Sequence, residues 1–314
     1  MHVVIAGGTG LIGRALAAAC LARGDTVSVL TRRPDAPVKG ALRRAAKVLW
    51  TPNDPNALAR HLRTADVVVN LIGENLAVGR WTAARKRALY ASRVESGRAL
   101  TAAIRLAQPR PKVLLQASAV GYYGDRGDAL VGEDTPPGDD FLARLCVDWE
   151  ASTAPVEALG VRRVVLRTGV VLTREGGALP RLLLPVRLGV GGPLGSGRQW
   201  MPWIHMEDEV GAMLFLMAHD EATGPFNLTA PQPVTNAQLV RALAQRLHRP
   251  AFLPVPAFAL RLLLGEMSTV LLASQRVLPN RLLSLGYAFR YPTLDAALDA
   301  LFAPPPAATT RMTP

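Results

Sequence analysis

The stretch Val3–Gly13 reads VVIAGGTGLIG, and it decides the fold. A short apolar run leads into a glycine-rich turn, and a segment with apolar residues at helical spacing follows. This order predicts a strand, a tight turn and a helix, the entry of a dinucleotide-binding βαβ unit. Gly10 would let backbone N–H groups approach a diphosphate, and Gly13 would let the helix pack on the strand. The alternative is a glycine-rich turn without a ligand. The predicted cofactor contacts are Gly7, Thr9, Gly10, Leu11, Ile12 and Gly13.

The rest of the chain alternates apolar, strand-like runs with amphipathic segments. This alternation predicts an α/β fold with a doubly wound parallel sheet of the Rossmann type. The predicted strands are Thr26–Thr31, Lys47–Trp50, Asp66–Leu71, Lys112–Ser118, Arg162–Thr173 and Pro225–Leu228. Helical segments are predicted at Leu11–Arg23, Pro55–Arg63, Thr82–Ala107, Phe141–Leu159, Met206–His219, Asn236–His248, Val270–Leu285 and Thr293–Phe302.

The end of the second predicted strand bears on the choice of cofactor. In such a unit this end lies beside the adenosine ribose, where a site that prefers NAD carries Asp or Glu. Here the residues are Thr31, Arg32 and Arg33. A guanidinium pairs with a 2′-phosphate through two hydrogen bonds, whereas a carboxylate would repel it. We therefore expect NADP, with NAD the less favoured cofactor; the alternative is that both arginines are merely solvated.

Two more strand ends carry candidate site residues. The strand at 66–71 runs into Asn70, Leu71 and Gly73, where a small residue would let the chain pass beneath the nicotinamide ribose. All three are expected to contact cofactor. Ser118 ends a later strand, and open α/β sheets bind their ligands at the carboxyl ends of strands. We expect Ser118 to contact both the cofactor and a substrate.

Tyr122 and Tyr123 follow Ser118 closely. A serine and a tyrosine at a strand end can both hydrogen-bond a substrate carbonyl or hydroxyl, so all three are candidate catalytic residues, with Tyr123 ranked above Tyr122. The alternative is a polar strand end followed by two turn tyrosines.

Composition limits the remaining function classes. The chain has 314 residues, 49% of them hydrophobic, and a formal net charge of +12. The excess is almost all arginine, it is dispersed, and aromatic residues make up only 5%, so we expect no nucleic-acid partner. No apolar run of membrane-spanning length occurs, and we expect no membrane partner. The two cysteines, Cys20 and Cys146, form neither a disulfide framework nor a metal cluster. The sequence thus predicts a cytoplasmic protein with a small-molecule substrate, no metal, and an oligomeric state left open.

Several longer stretches resemble one known family. The chain is similar to the atypical or extended short-chain dehydrogenase/reductases, within the NAD(P)-dependent epimerase/dehydratase superfamily. More narrowly, it resembles the bacterial "epimerase family protein" subgroup, with its C-terminal domain of unknown function. The stretches that carry this likeness are the Gly7–Gly13 turn, RWTAARKRAL at Arg80–Leu89, SAVGYYGDRGD at Ser118–Asp128, GSGRQWMPWIH at Gly195–His205 and LPVPAFALRLLLGEM at Leu253–Met267.

The resemblance implies a seven-stranded core and a smaller, mostly helical C-terminal substrate domain. The nucleotide-binding domain would occupy residues 1–185, with 203–230 returning to it. The substrate or cap region would occupy 186–302, and a disordered tail 303–314.

One feature of the superfamily is missing. Its acid is a tyrosine followed four residues later by a lysine, whose charge lowers the pKa of the phenol and holds the nicotinamide ribose. No tyrosine of this chain has lysine at that spacing, and the helix expected to carry the pair reads FLARLCVDWE. Arg126 is the candidate for the electrostatic role of the lysine. Two hypotheses remain open: an NADP-dependent oxidoreductase, epimerase or dehydratase, or a non-catalytic NADP(H)-binding or redox-sensing protein.

Overall fold

The computed structural model describes residues 1–38 and 40–303. Apart from residue 303, the predicted disordered tail therefore lies outside the described residues. The strands of this part are β1 (His2–Ala6), β2 (Thr26–Thr31), β3 (Ala46–Leu49), β4 (Val67–Asn70), β5 (Val113–Ala119), β6 (Leu130–Val131), β7 (Arg162–Thr168), β8 (Val170–Leu172), β9 (Trp200–Met201), β10 (Trp203–His205), β11 (Gly224–Leu228), β12 (Val234–Thr235) and β13 (Arg276–Val277).

The α-helices of the described residues flank these strands. They are α1 (Leu11–Ala22), α2 (Pro55–Leu62), α3 (Ala83–Tyr90), α4 (Ser96–Leu106), α5 (Phe141–Ala151), α6 (Leu179–Arg187), α7 (Met206–Ala218), α8 (Asn236–Leu247), α9 (Ala257–Leu264), α10 (Thr269–Leu272), α11 (Asn280–Ser284) and α12 (Leu294–Phe302). A π-helical turn at Ala91–Glu95 joins α3 to α4. No helix among the described residues combines the length and the apolar character needed to cross a membrane.

The central sheet has seven strands in the order β3-β2-β1-β4-β5-β7-β11. Every pairing within it is parallel. The chain runs outward from β1 to β3 and then returns past β1 to begin β4. The strand order therefore reverses between β1 and β4, and the crevice at their carboxyl ends is the expected ligand site. The predicted α/β fold, a doubly wound parallel sheet of the Rossmann type, is confirmed.

Apolar layers cover both faces of this sheet, which explains why its inner strands read as continuous hydrophobic runs. On one face Val3 and Ile5 pack with α1 and α7. On the other face Val4 packs with α2 and α4. The glycine turn after β1 is thus held between two packed layers.

The expected strand at 162–173 is wrong as a single element. It breaks at Gly169, β7 stays in the central sheet, and β8 pairs with β10 in a separate sheet. A Cβ at Gly169 would lie 2.8 Å from the Pro202 carbonyl oxygen, so the strand divides where another segment crosses it closely.

Two predicted helices also differ from the structure. The helix expected at 141–159 ends as α5 at Ala151, and a 3-10 helix at Ala154–Leu159 follows. Pro155, at the start of that 3-10 helix, has no N–H to continue the α-helical bonding. The segment expected to be helical at 270–285, with a break near Pro279, is helical only at its ends, in α10 and α11. Between them lies β13, which pairs with β6. At β13, pairing with a strand that is distant in the sequence outweighs the helical propensity of the segment.

Candidate cofactor and active site

The glycine turn after β1 closes on itself. The Gly10 N–H donates to the Gly7 carbonyl oxygen at 2.9 Å. Gly7 has φ +82°, and a Cβ there would lie 2.7 Å from the Leu71 carbonyl oxygen. A Cβ at Gly13 would lie 2.5 Å from the Gly7 carbonyl oxygen. Glycine is therefore required at both positions, for the turn and for the close approach of α1 and of the chain after β4.

The start of α1 offers free donors at this turn. Its first turn holds no acidic residue, and no side chain caps it. The first amide to bond within the helix is that of Arg14, to the Gly10 carbonyl, so the amides of Leu11, Ile12 and Gly13 have no helical partner. Thr9 is exposed, and its carbonyl accepts from Arg14 Nη1 at 3.0 Å. The free amides and the positive helix end fit a diphosphate.

The end of β2 lies at the same edge of the sheet as the glycine turn, and it exposes two positive charges. Thr31 Oγ1 accepts the backbone N–H of Arg33 at 3.2 Å. Arg32 and Arg33 are exposed, and their guanidinium groups make no ion pair with a carboxylate of the described residues. These residues fit a 2′-phosphate on a ribose.

The end of β4 shapes the crevice mainly through its backbone. The Leu71 N–H donates to the Ala6 carbonyl at 2.8 Å, which binds the chain after β4 to the end of β1. Asn70 is fully buried; its Nδ2 donates to Gln116 Oε1 at 2.9 Å, and its Oδ1 accepts the Ile72 N–H at 3.2 Å. The Asn70 side chain therefore braces β4 against β5, and its cofactor contact stays a prediction. Leu71 and Gly73 follow it at the rim of the crevice.

Ser118, near the end of β5, has a charged partner. Its hydroxyl donates to Glu150 Oε1 at 2.6 Å. Glu150, on α5, accepts from Arg167 Nε and Nη2 at 2.9 Å each. The expected position of Ser118 at the carboxyl edge is thus observed, but its proton faces a carboxylate. Ser118 is itself only 5% exposed, and its oxygen can still accept a hydrogen bond.

The two tyrosines differ in a way that does not support their predicted ranking. Tyr123 is fully buried; its hydroxyl donates to Asn227 Oδ1 at 2.6 Å and accepts from Arg167 Nη1 at 3.1 Å. Burial raises the pKa of Tyr123 to about 12. Tyr122 is partly exposed, and the Arg167 guanidinium stacks on its ring at 3.5 Å. Tyr123 holds strands together, and Tyr122 is the more accessible phenol.

Arg126, the candidate for the role of the missing lysine, is hydrogen-bonded to its own loop. Its Nε donates to the Tyr123 carbonyl at 2.8 Å, and its Nη2 donates to the carbonyls of Pro136 and Pro137 at 2.6 and 3.0 Å. These hydrogen bonds stabilise the loop that carries Arg126.

The face of α5 that meets Ser118 carries Cys146 and Glu150, one turn apart. The Cys146 thiol lies beside Ser118 and the backbone of Ala119, and burial raises its pKa to about 12. It is therefore a neutral thiol near neutral pH. Cys20 is also buried and free. Among residues 1–38 and 40–303, no group of three His, Cys, Asp or Glu side chains lies close enough together to bind a metal ion.

Sequence reasoning missed Glu150 and Arg167. The only available signal was the helical spacing of four residues between Cys146 and Glu150, which places both on one face of α5. Arg167 lies in β7, and nothing in its local pattern distinguishes it from the other arginines of the chain.

The C-terminal segment closes over the loop that follows Ser118. Gln275 Nε2 donates to the carbonyls of Val120 and Gly124 at 3.0 and 2.8 Å. The Arg126 N–H donates to the Ser274 carbonyl at 2.8 Å. Beside these contacts lies a cavity of about 620 Å³. Its charged and hydroxyl lining comes from Asp125, Arg126, Asp139, Asp140, Arg261, Ser268 and Thr269. A polar small molecule would fit such a lining.

Most of the chain matches the model of a known protein family. The model of the NAD dependent epimerase/dehydratase family matches residues 3–229. The chain belongs to that family. A second model, described as a domain of unknown function (DUF1731), matches residues 255–301. The resemblance to epimerase family proteins with this C-terminal domain is confirmed.

Relatives match along nearly the whole chain. Epimerase family protein Mb2239 of Mycobacterium bovis is 43% identical over 301 residues, which are 94% of this chain and 96% of that protein. Epimerase family protein SDR39U1 of Bos taurus is 39% identical over 308 residues, 96% of this chain and 100% of that protein. The crystal structure of human epimerase family protein SDR39U1 (isoform2) with NADPH shares 36% identity and a TM-score of 0.86, and the match covers 96% of this chain and 99% of that chain.

Proposed function

We propose that this protein binds NADP(H) and acts as an oxidoreductase or epimerase on a small substrate with a hydroxyl or carbonyl group. The observation that carries the proposal is the convergence of three features at one sheet edge. These are the amides at the start of α1 that have no helical partner, Arg32 and Arg33 after β2, which pair with no carboxylate of the described residues, and Ser118 near the end of β5. The human relative with NADPH bound supports the choice of cofactor.

The residues present fit each part of the cofactor. The amides of Leu11, Ile12 and Gly13 would hold the diphosphate, and Arg32 with Arg33 would hold the 2′-phosphate. Leu71 and Gly73 would border the nicotinamide ribose. When bound, the cofactor supplies hydride transfer at its nicotinamide ring.

Ser118 would orient the substrate oxygen. Because its proton goes to Glu150, it would accept a hydrogen bond from a substrate hydroxyl. Tyr122 is the accessible candidate for moving a proton, since Tyr123 is fully buried. The cytoplasmic location and the lack of a nucleic-acid partner stay predictions from composition.

Calorimetric titration with NADPH and NADH tests the cofactor assignment. The double variant Arg32→Ala/Arg33→Ala should lose roughly tenfold or more in NADPH affinity, the usual scale for charge-assisted bonds. Its NADH affinity should stay unchanged. Arg60→Ala/Arg63→Ala is the matched control, because it removes the same charge at the end of α2, next to the start of β4 and at the opposite edge of the sheet. Equal loss of both cofactors would reject the NADP assignment.

A second candidate, a non-catalytic NADP(H)-binding protein, is favoured by one observation. Opposite Ser118, α5 presents a neutral thiol and a paired carboxylate, where the superfamily's reaction needs a phenol and an ammonium group. NADPH oxidation against a panel of carbonyl compounds, together with NADP⁺ reduction by the matching alcohols, separates the two. Turnover that Ser118→Ala lowers roughly tenfold or more supports the enzyme. Tight NADPH binding with no turnover supports the binding protein.

A further inference from the structure

Arg93 is a buried cation without a carboxylate partner among the described residues. Its exposed fraction is only 7%. The nearby Glu74 carboxylate is bonded to Arg85 instead. Burying an unpaired charge is costly, so a purely structural position would favour a neutral side chain. Desolvation lowers the pKa of Arg93 to about 10, which still leaves it charged near neutral pH.

The contacts of Arg93 leave part of its guanidinium unused. Nη2 donates to the Glu74 carbonyl at 2.9 Å, and Nη1 donates to the Leu89 carbonyl at 3.3 Å and to Ser92 Oγ at 3.5 Å. Arginine has five N–H donors, so three contacts leave two, the Nε–H and one Nη2–H, without a partner in the described chain.

The position of Arg93 is next to the candidate site. A Cβ at Gly73 would lie 3.1 Å from both Cζ and Nη2 of Arg93, so the guanidinium rests against the chain just after β4. On its other side, the guanidinium stands 5.0 Å over the Trp149 ring of α5. The neutral thiol of Cys146, which lies beside Ser118, is also near this guanidinium. The charge thus stands between the end of β4 and the Ser118 face of α5.

The backbone presents Arg93 in an unusual way. It is the central residue of the π-helical turn Ala91–Glu95, which interrupts an otherwise continuous helix. Such turns are rare and are found frequently at functional sites.

A partly buried arginine, Arg162, shows what a structural role looks like in this fold. Arg162 also lacks a carboxylate partner among the described residues, but it donates to the carbonyls of Leu216, Met217 and Ala222, at and just beyond the end of α7. Its charge complements the negative end of that helix. Arg93 donates to the carbonyls of Glu74 and Leu89, but it lies within a continuous helical run and complements no free helix end.

We propose that Arg93 faces the nicotinamide half of the cofactor and makes this site bind NADPH more tightly than NADP⁺. The inference rests on the proposed function, which places the nicotinamide at the carboxyl ends of β4 and β5. The oxidised ring carries a positive charge and the reduced ring is neutral, so a nearby buried cation repels only the oxidised form. A Coulomb interaction across several ångströms of protein is enough for roughly tenfold discrimination.

Calorimetric titration of NADPH and NADP⁺ into the purified full chain tests the inference. Arg93→Met keeps bulk and removes charge, and it should lower the ratio of NADPH to NADP⁺ affinity roughly tenfold. Arg93→Lys should restore most of that ratio. Arg162→Met is the control: it should lower Tm and leave the ratio unchanged. If Arg93→Met does not fold, Arg93→Gln, which can still donate to the Glu74 carbonyl, takes its place with the same expected shift.

The outcomes separate the two proposals. Wild-type protein that binds neither cofactor form overturns both. Wild-type binding with an unchanged affinity ratio in the neutral variants overturns the role of Arg93 alone. Equal weakening of both forms shows a structural role and also overturns it.

Discussion

The Ser118 hydroxyl and the Glu150 carboxylate lie 2.6 Å apart, and the same carboxylate is clamped by Arg167. This relationship joins β5, α5 and β7 at the candidate site. It also fixes the direction of the Ser118 proton, and therefore the hydrogen bond that a substrate can make.

Glu150→Gln should destabilise the protein by about 2 kcal/mol, because it removes one charge of a largely buried ion pair. The side chains of Arg167 and Glu150 are only 5% and 14% exposed. Urea unfolding of the variant and wild type measures the loss. Glu157→Gln is the control, since the Glu157 side chain is 51% exposed in its pair with Arg163, and it should cost about 0.5 kcal/mol or less. Equal losses in the two variants would mean that the Glu150–Arg167 ion pair stabilises the fold no more than the exposed pair does.

Replacing each of the two tyrosines should affect a different property: Tyr123 the stability of the fold, and Tyr122 the rate of the reaction. Tyr123→Phe removes a hydroxyl bonded to Asn227 and Arg167, so it should cost about 1–3 kcal/mol. Tyr122→Phe should leave Tm nearly unchanged and should slow NADPH oxidation roughly tenfold or more. Thermal unfolding and single-turnover kinetics on both variants test this. A Tyr123→Phe variant that oxidises NADPH slowly but unfolds at the wild-type temperature would give Tyr123, and not Tyr122, the role in proton transfer.

Much of the fold could be predicted because its signals are local. The apolar run of β1, the turn at Gly7–Gly13 and the capped starts of helices depend on neighbours within a few residues. Asp54 accepts the Ala57 N–H at the start of α2, and Thr235 forms a capping box with Gln238 at the start of α8.

What could not be predicted depends on contacts distant in sequence. The break at Gly169 depends on the Pro202 carbonyl that crosses there. The burial of Tyr123 depends on Asn227, 104 residues away. The partner of Ser118 lies 32 residues further along the chain. A pattern read along one segment carries no information about such partners.

Gly13→Ala should damage the turn that organises the site. The added Cβ would meet two backbone atoms, the Gly7 carbonyl oxygen at 2.5 Å and Gly8 Cα at 2.6 Å, and backbone cannot move aside cheaply. We expect a net loss of about 1–2 kcal/mol after the gain in helix propensity, together with at least roughly tenfold weaker NADPH binding.

Gly176→Ala is the matched control for the turn. Its Cβ would approach only Leu11 side-chain atoms, the nearest at 3.4 Å, which is ordinary packing. Urea unfolding and NADPH titration should find this variant within about 0.5 kcal/mol of wild type. If Gly13→Ala behaved like it, the turn would tolerate a side chain and the packing argument would fail.

Glu209 should make stability fall as pH rises. It lies in the first turn of α7, only 1% exposed, and its Oε1 accepts from Thr168 Oγ1 at 2.9 Å. Burial raises its pKa from 4.5 to about 8. Below about 4.5 both the folded and the unfolded state hold the proton. As pH rises from 4.5 towards 8, only the unfolded state releases it, so the free energy of unfolding decreases until the folded state also ionises.

Glu209→Gln removes this titration and keeps an acceptor for Thr168. The variant should match wild type near pH 5 and exceed it near pH 8 by about 1 kcal/mol or more, which corresponds to roughly 2–4 °C in Tm. Glu207→Gln, two residues earlier and half-exposed beside Arg290, should follow the wild-type profile. Thermal unfolding across this pH range decides the matter, because a Glu209→Gln profile parallel to wild type would show that Glu209 ionises normally in the fold.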